Sequence, residues 1–449
     1  MEHPLGSPQS NSQIIKFILV LALPAVIENF FQTILGFVDT LFVSKLGLIE
    51  VSAVGVTNAI LAIYFAVFMA LGVATNVFVA KNIGAGKKDK ASQIGQQAII
   101  LSIFAGVLFG LISLFFAEPL LKLMGVDKDV LAHATTYFRI VAIPSILISL
   151  MFVLSSILRG TGDTKTPMKV SIMANLLNIL LDYILIFGFF FIPSFGLAGA
   201  AWATVLSRLI GVIGLSMYMF KSKSIQILKE NWKIDKQSQL NLMRLGTPAA
   251  GERLVMRVGQ VLYFGMIVAI GTNTFAAHQI AGNIEIFSYM IGYGFATAAT
   301  TLVGQKLGEN DYEGAKKYAN MSMILGIIFM SIFGILLFFL GNWVASFFTS
   351  DLVVMKQIAL ALKIDAFIQP VLAIVLILTG IYQGGENTKF PMYITAIGIW
   401  LIRTIGVYFL GIYLGWGIAG IWIAIGLDNL FRAICLWIRY KNNRWIVNT

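Results

Sequence analysis

The chain has little of what soluble and secreted proteins use to hold themselves together. Cys435 is its single cysteine among 449 residues, which excludes a disulfide framework and any cysteine-rich metal site. Three histidines, His3, His133 and His278, are too few to build a zinc site of the usual kind, and no cofactor is expected. Charge is scarce too: 12% of residues are charged, against roughly 25% in soluble domains. No grouping of nucleophile, histidine and metal ligands stands out, which argues against an enzyme.

Apolar residues fill the chain instead. They make up 58% of it, and the mean hydropathy is +0.86, the composition of a polytopic membrane protein. Twelve segments are long enough to cross about 30 Å of hydrocarbon. They lie near 14–43, 52–80, 94–116, 131–158, 168–190, 197–220, 241–269, 275–304, 316–341, 355–381, 392–411 and 417–439. The flank "MEHPLGSPQSNSQ" is nearly uncharged and no small-residue cleavage pattern follows, so the first segment reads as a retained span, not a signal peptide. The net charge of +11 is no nucleic-acid signal, because the basic residues sit in short runs between apolar segments. "KNIGAGKKDK", "RGTGDTKTPMK", "KSKSIQILKENWKIDK", "KLGENDYEGAKK" and "RYKNNRW" all fall on one side. "GFFFIPSFG" and "GIYLGWG", on the other side, carry no basic residue. The positive-inside rule then predicts a multi-pass protein of the cell (inner) membrane with both termini in the cytoplasm.

The halves of the chain match each other at an offset of 224 residues. "NIGAGKKDKA" from Asn82 falls on "KLGENDYEGA" from Lys306, "RGTGDTKTP" from Arg159 on "QGGENTKFP" from Gln383, and Pro24 on Pro248. In the last span of each half the offset slips to 221, setting "GLAGAAW" on "GIAGIWI". Six spans per repeat give the halves the same orientation, related by an axis along the membrane normal. The expected fold is therefore all-α, twelve transmembrane helices in two six-helix bundles: an N-lobe 1–220, a cytoplasmic linker 221–240 and a C-lobe 241–449. Parallel repeats of this kind build alternating-access carriers with the substrate cavity between lobes. The loops lack the Gly-x4-Gly-Lys-Ser/Thr phosphate-binding pattern, so the energy source is expected to be an ion gradient and not ATP.

Acidic residues inside spans are costly unless paired, hydrated or facing a cavity, and they carry the functional reading. Glu28, Gln32 and Asp39 lie on one face of the first span, and Asn175, Asn178 and Asp182 on one face of the fifth. Carboxylates with amide oxygens suit a proton or Na⁺, and if Na⁺ is the ion then Asp39, Asn178 and Asp182 are its ligands; packing between helices is the alternative. Glu252 repeats Glu28, each four residues after a proline, and the two would attract a cationic substrate. Arg253 and Arg257 make internal salt bridging a rival for Glu252. Glu285 and Asp365 are weaker candidates, and Asp428 is expected to pair with Arg432 four residues on. Thirty-four Phe, fourteen Tyr, eight Trp and seventeen Met provide adaptable apolar surface. Tyr64, Tyr263, Tyr289 and Tyr293 are candidates to line the substrate wall, where an aromatic cation would find cation–π contacts.

The run "PAVIENFFQTILGFVDTLFVSKLG" from Pro24, with "SILRGTGDTKTPM", "NLLNILLDYILIFG" and "GLAGAAWATVLSR", resembles the multidrug and toxin extrusion (MATE) family, and within it the DinF-like branch. The resemblance covers nearly the whole chain. It implies a V-shaped, monomeric carrier among membrane lipids that expels small organic cations in exchange for H⁺ or Na⁺. The family's first-span aspartate falls on Asp39, its fifth-span asparagine and aspartate on Asn178 and Asp182, and its sixth-span threonine on Thr204. In the NorM-like branch an acidic residue of the seventh span is similar in place to Glu252, and a tenth-span aspartate to Asp365. H⁺ is the favoured ion, since one desolvated carboxylate suffices for it, with Na⁺ competing. A polyprenyl-linked lipid flippase is the alternative; it would place basic residues such as Arg208, Arg253, Arg257 and Arg403 along its cavity.

Overall fold

The computed structural model describes residues 10–446, so the readings placed on residues 1–9, His3 included, lie outside the described residues. The helices are α1 (Asn11–Ser44), α2 (Leu48–Gly84), α3 (Lys88–Leu123), α4 (Lys128–Ala142), α5 (Ser145–Gly160), α6 (Lys165–Phe187) and α7 (Gly196–Lys221). After a connection come α8 (Lys236–Ile270), α9 (Thr272–Gly308), α10 (Tyr312–Ser346), α11 (Leu352–Gly384), α12 (Lys389–Ile397), α13 (Thr404–Gly406) and α14 (Gly417–Lys441). Wider π turns, Gly398–Arg403 and Val407–Tyr413, join α12 to α13 and continue beyond it, so that Lys389–Tyr413 makes one span. Among the described residues β structure is limited to one bridge, Phe189 to Ile192. Helix is what hydrocarbon permits, because every backbone N–H and C=O must find its partner within the segment.

Among the described residues eleven helices are long and apolar enough to cross a membrane, and α4 with α5 forms a bent pair that brings the number to twelve. Each expected segment falls on one of them. The fourth is corrected in one respect: the apolar run 131–158 is broken, with α4 and α5 meeting at 44°. Pro144 has no N–H to offer the ladder and itself leaves the helical region, at φ −80° and ψ 40°, while Ile143 before it stays helical, so a continuous apolar run does not become a continuous helix. Pro24, Pro248 and Pro370 are each retained inside a helix.

Packing separates the chain into two compact units, one of residues 1–26 with 255–449 and the other of residues 27–254. The expected lobes divide at the linker, whereas these units divide inside α1 and α8. The physical reason is visible in the core: Ile14, Ile18, Leu21 and Ala22 of α1 share a cluster with Phe295, Leu302, Leu372 and Ile377. Leu242 and Leu245 of α8 share one with Leu71, Val77, Ile94 and Leu158. Within each unit the repeat returns as geometry. Gly160 of α5 packs on Asn76 and Val79 of α2, and Gly384 of α11 packs on Thr300 and Val303 of α9, with no room for a Cβ at either. Thr300 also donates to the Gly380 carbonyl at 2.8 Å. Small residues let the backbones approach, which is how membrane helices gain contact.

Candidate functional site

In the unit of residues 27–254, four helices bring polar side chains together. α1 supplies Asp39, α4 Tyr137, α6 Asn178 and Asp182, and α7 Thr204 and Arg208. The Asp39 and Asp182 carboxyl groups face each other within hydrogen-bonding reach, and the Arg208 guanidinium acts on Asp39 through space. Tyr137, 3% exposed, sits beside both carboxylates and reaches the Thr204 hydroxyl. Thr204 itself donates to the Ala200 carbonyl at 3.0 Å. Asp182 is fully buried, and both its oxygens, Oδ1 of Asp39 and the Asn178 amide nitrogen have no partner. Two ionised carboxylates have acceptors only, so they can be joined only by a shared proton or by a cation between them.

The other first-span candidates do different work. Glu28 is buried and holds Arg159 at the end of α5 in an ion pair of 2.7 Å, so its charge is balanced by the protein. Gln32 donates to the Ser171 hydroxyl at 3.0 Å, joining α1 to α6. Tyr64 is not a wall residue. It is 3% exposed, its hydroxyl and that of Ser113 lie 2.8 Å apart, and its ring packs edge-on against Phe68, Phe109 and Phe138.

The unit of residues 1–26 and 255–449 holds a second polar interior. Asp365 of α11 accepts from Gln369 at 2.7 Å, and the Gln369 side-chain oxygen accepts in turn from the Ser288 hydroxyl of α9. Glu285, one turn before Ser288, acts on Asp365 through space, and each carboxylate keeps one oxygen without a partner. Asp428 is fully buried and held on both sides, by Arg403 at 2.7 Å and by Arg432 at 3.0 Å. The Arg432 pairing is the one its spacing predicts; Arg403 comes from 25 residues earlier. Arg403 also donates to the Tyr263 hydroxyl at 3.4 Å, which leaves Tyr263 buried at 2% exposure and away from any wall. Tyr289 and Tyr293 are half-buried with ring centroids 6.1 Å apart. Glu252 is half-buried, and Arg257 nearby donates to Gln260 at 3.2 Å. Among the described residues no group of three or more His, Cys, Asp or Glu could hold a metal ion.

Sequence reasoning missed Tyr137 and the Arg403–Asp428 contact. Neither has a local signature, because each partner arrives from a different helix.

A multi-pass helical protein made of two similar halves, each with carboxylates buried inside membrane helices, belongs to the class of membrane transporters. The chain is a member of the MATE family, whose MatE profile matches residues 24–184 and 248–409, one copy in each half. It is 32% identical over 434 residues to a probable multidrug resistance protein NorM of Thermotoga maritima, covering 96% of this chain and 93% of that one. The uncharacterized transporter YisQ of Bacillus subtilis is 28% identical over 95% of this chain and 94% of its own. In fold, the chain matches a crystal structure of MATE in complex with MaL6 with a TM-score of 0.91 over 98% of this chain and 99% of that one, at 24% identity. A MOP superfamily transporter from Pyrococcus furiosus, described as having a binding pocket of reverse polarity, matches with a TM-score of 0.89 over the same shares and at the same identity.

Proposed function

We propose that the protein is an ion-coupled antiporter that exports small organic cations, with H⁺ as the favoured coupling ion and Na⁺ as its competitor. The observation that carries this reading is the Asp39–Asp182 pair, two carboxylates at hydrogen-bond reach with three oxygens lacking a donor. Like charges so close repel, and one proton or one monovalent cation shared between them relieves the repulsion. Asn178 and Thr204 supply further oxygens, which become ligands if Na⁺ is the ion carried. Glu285 and Asp365 form a second acidic pair; an arginine acts through space on one acid of each pair, but here Gln369 donates to Asp365, whereas neither oxygen of Asp182 has a donor.

The transport step follows from exchange at that pair. Entry of the coupling ion between Asp39 and Asp182 removes one of the two negative charges that attract a cationic cargo, and the cargo leaves. Loss of the ion on the cytoplasmic side restores the charge and the affinity. Half-buried Tyr289 and Tyr293 offer faces for an aromatic cation. The motifs of the first half resemble the DinF-like branch, and we place the chain there although several of its named relatives carry the name NorM. The chain works as a monomer in the cell membrane with both termini in the cytoplasm.

Dye efflux from proteoliposomes separates the alternatives. An imposed pH gradient with Na⁺ rigorously absent is expected to drive export of ethidium or rhodamine. Efflux only when a Na⁺ gradient replaces the pH gradient would reassign the ion to Na⁺. Undiminished efflux with all gradients and the membrane potential collapsed would overturn the antiporter reading itself.

A further inference from the structure

The connection between α7 and α8 is strapped to the side of α3. The Ser92 hydroxyl accepts from the Gln226 amide at 2.9 Å. Gln96 donates to the Leu228 carbonyl at 2.9 Å and accepts from the Leu228 amide at 3.0 Å. Gln97 donates to the carbonyls of Asn231 and Lys233 at 2.9 and 2.7 Å and accepts from the Asp235 amide at 3.0 Å. Both glutamines are buried, at 1% and 0% exposure, so the strap covers them. At 1.5 Å per residue, Ser92 and Gln97 lie about 6 to 14 Å in from the start of α3 at Lys88. The strap therefore runs along the helix to the point where its apolar segment, near 94–116, begins, with Ile94, Ala98 and Ile99 buried beside it, the level expected of a membrane interface.

Its outer face has two kinds of residue. Leu228, Trp232 and Ile234 are 40%, 42% and 70% exposed, and they continue the exposed apolar surface of Tyr218 and Phe220 on α7 and of Leu240 and Met243 on α8. Between them stand exposed Lys221, Lys223, Lys229, Lys233 and Lys236. Among the described residues, none of these five ammonium groups forms an ion pair with a carboxylate. Of the strap's two acids, Glu230 is exposed and leaves the five lysines in excess, and Asp235 is occupied by Ser238, whose hydroxyl donates to it at 2.5 Å.

We propose that this strap is a lipid-reading surface that docks on the headgroups of anionic phospholipids in the leaflet where α7 ends and α8 begins. Trp and aliphatic side chains at interface depth sink among the upper acyl carbons, while lysine stems let the ammonium groups reach the phosphates. A basic juxtamembrane run next to an anionic leaflet is attracted residue by residue, which suits lipid better than a protein partner on a face already continuous with lipid-facing helices.

A fluorophore at position 232 reads this directly. In the full-length Cys435→Ser background, Trp232→Cys gives one labelling site on an exposed side chain. The protein is reconstituted in phosphatidylcholine vesicles with phosphatidylglycerol at three to one. Quenching by brominated phosphatidylglycerol is compared with quenching by brominated phosphatidylcholine. A several-fold stronger association of the anionic lipid is expected, falling to parity in the Lys229→Gln, Lys233→Gln, Lys236→Gln triple variant. Equal quenching by both lipids in the unsubstituted strap would overturn the assignment. So would full access of aqueous iodide with no lipid quenching, the result expected if the strap faces cytoplasm or another protein. No transport is measured, so the outcome is independent of the antiporter reading.

Discussion

Gly160 in one unit and Gly384 in the other occupy the same point of the internal repeat, and at both a helix crosses its neighbour too closely for a methyl group. Asp39 and Tyr263 also occupy one point of the repeat, yet Asp39 faces a second carboxylate and Tyr263 faces the Arg403 guanidinium. Packing joints have been kept between the halves while polar interiors have diverged. The difference in charge is specific. Asp428 is bonded by two arginines and has nothing left to exchange, whereas Asp182 has two oxygens with no donor. A carboxylate that the protein neutralises itself serves stability, and one left open can serve a mobile ion.

That contrast is easiest to break with amide substitutions. Asp39→Asn and Asp182→Asn are expected to reduce gradient-driven dye efflux to background while the protein still folds, because an amide keeps size and hydrogen bonding but cannot exchange a cation. Asp428→Asn is expected to act on stability instead, costing about 3–5 kcal/mol because it leaves two buried guanidinium groups uncompensated; thermal unfolding in detergent measures it. Driven efflux that survives in the Asp39 variant but vanishes at unchanged stability in the Asp428 variant would reverse the comparison.

Smaller effects sharpen it. Gly160→Ala and Gly384→Ala should each cost about 1–3 kcal/mol by overpacking, and similarly in the two halves, as read by unfolding. A large disparity would show that the joints are not equivalent. Tyr64→Phe removes one hydroxyl and is expected to cost about 1 kcal/mol with efflux unchanged, in keeping with a core role. Weakest of all is a pH effect on the strap. Hydrogen bonding from Ser238 holds the Asp235 carboxyl below its ordinary value, so its contribution is present above the unfolded carboxylate range and lost as pH falls through the lower, folded value. The amide-exchange protection factors of residues 226–239, taken relative to the intrinsic rate at each pH, are expected to fall below about pH 4 and to be flat at neutral pH.

Much of this architecture was legible in the sequence because hydrocarbon imposes one rule on backbone and side chains alike. Spans and repeat followed from apolar length and offset, and the helical faces of Asp39 and Asp182 from their spacing, but their meeting across two helices has no local signature. The break at Pro144 was not legible, since hydropathy carries no information about a missing N–H inside an unbroken apolar run. Tyr64 and Tyr263 were placed on a wall because their type suits one, but what surrounds a ring depends on neighbours such as Phe109 and Arg403 from distant segments. Asp428 shows both sides of this limit: Arg432 lies one turn away and was predictable, and Arg403 was not.

The sharing of α1 between units has a consequence for synthesis. Ile14, Ile18, Leu21 and Ala22 are made well before Phe295, Leu302 and Ile377, with which they share a cluster. At roughly 5–20 residues per second, about 270 residues separate the two events, or some 15–60 s during which the start of α1 waits in the bilayer without its partners. The unit that holds the start of α1 is therefore completed only after residues 27–254 are made, and a ribosome halted at the α7–α8 connection would leave α1 half docked.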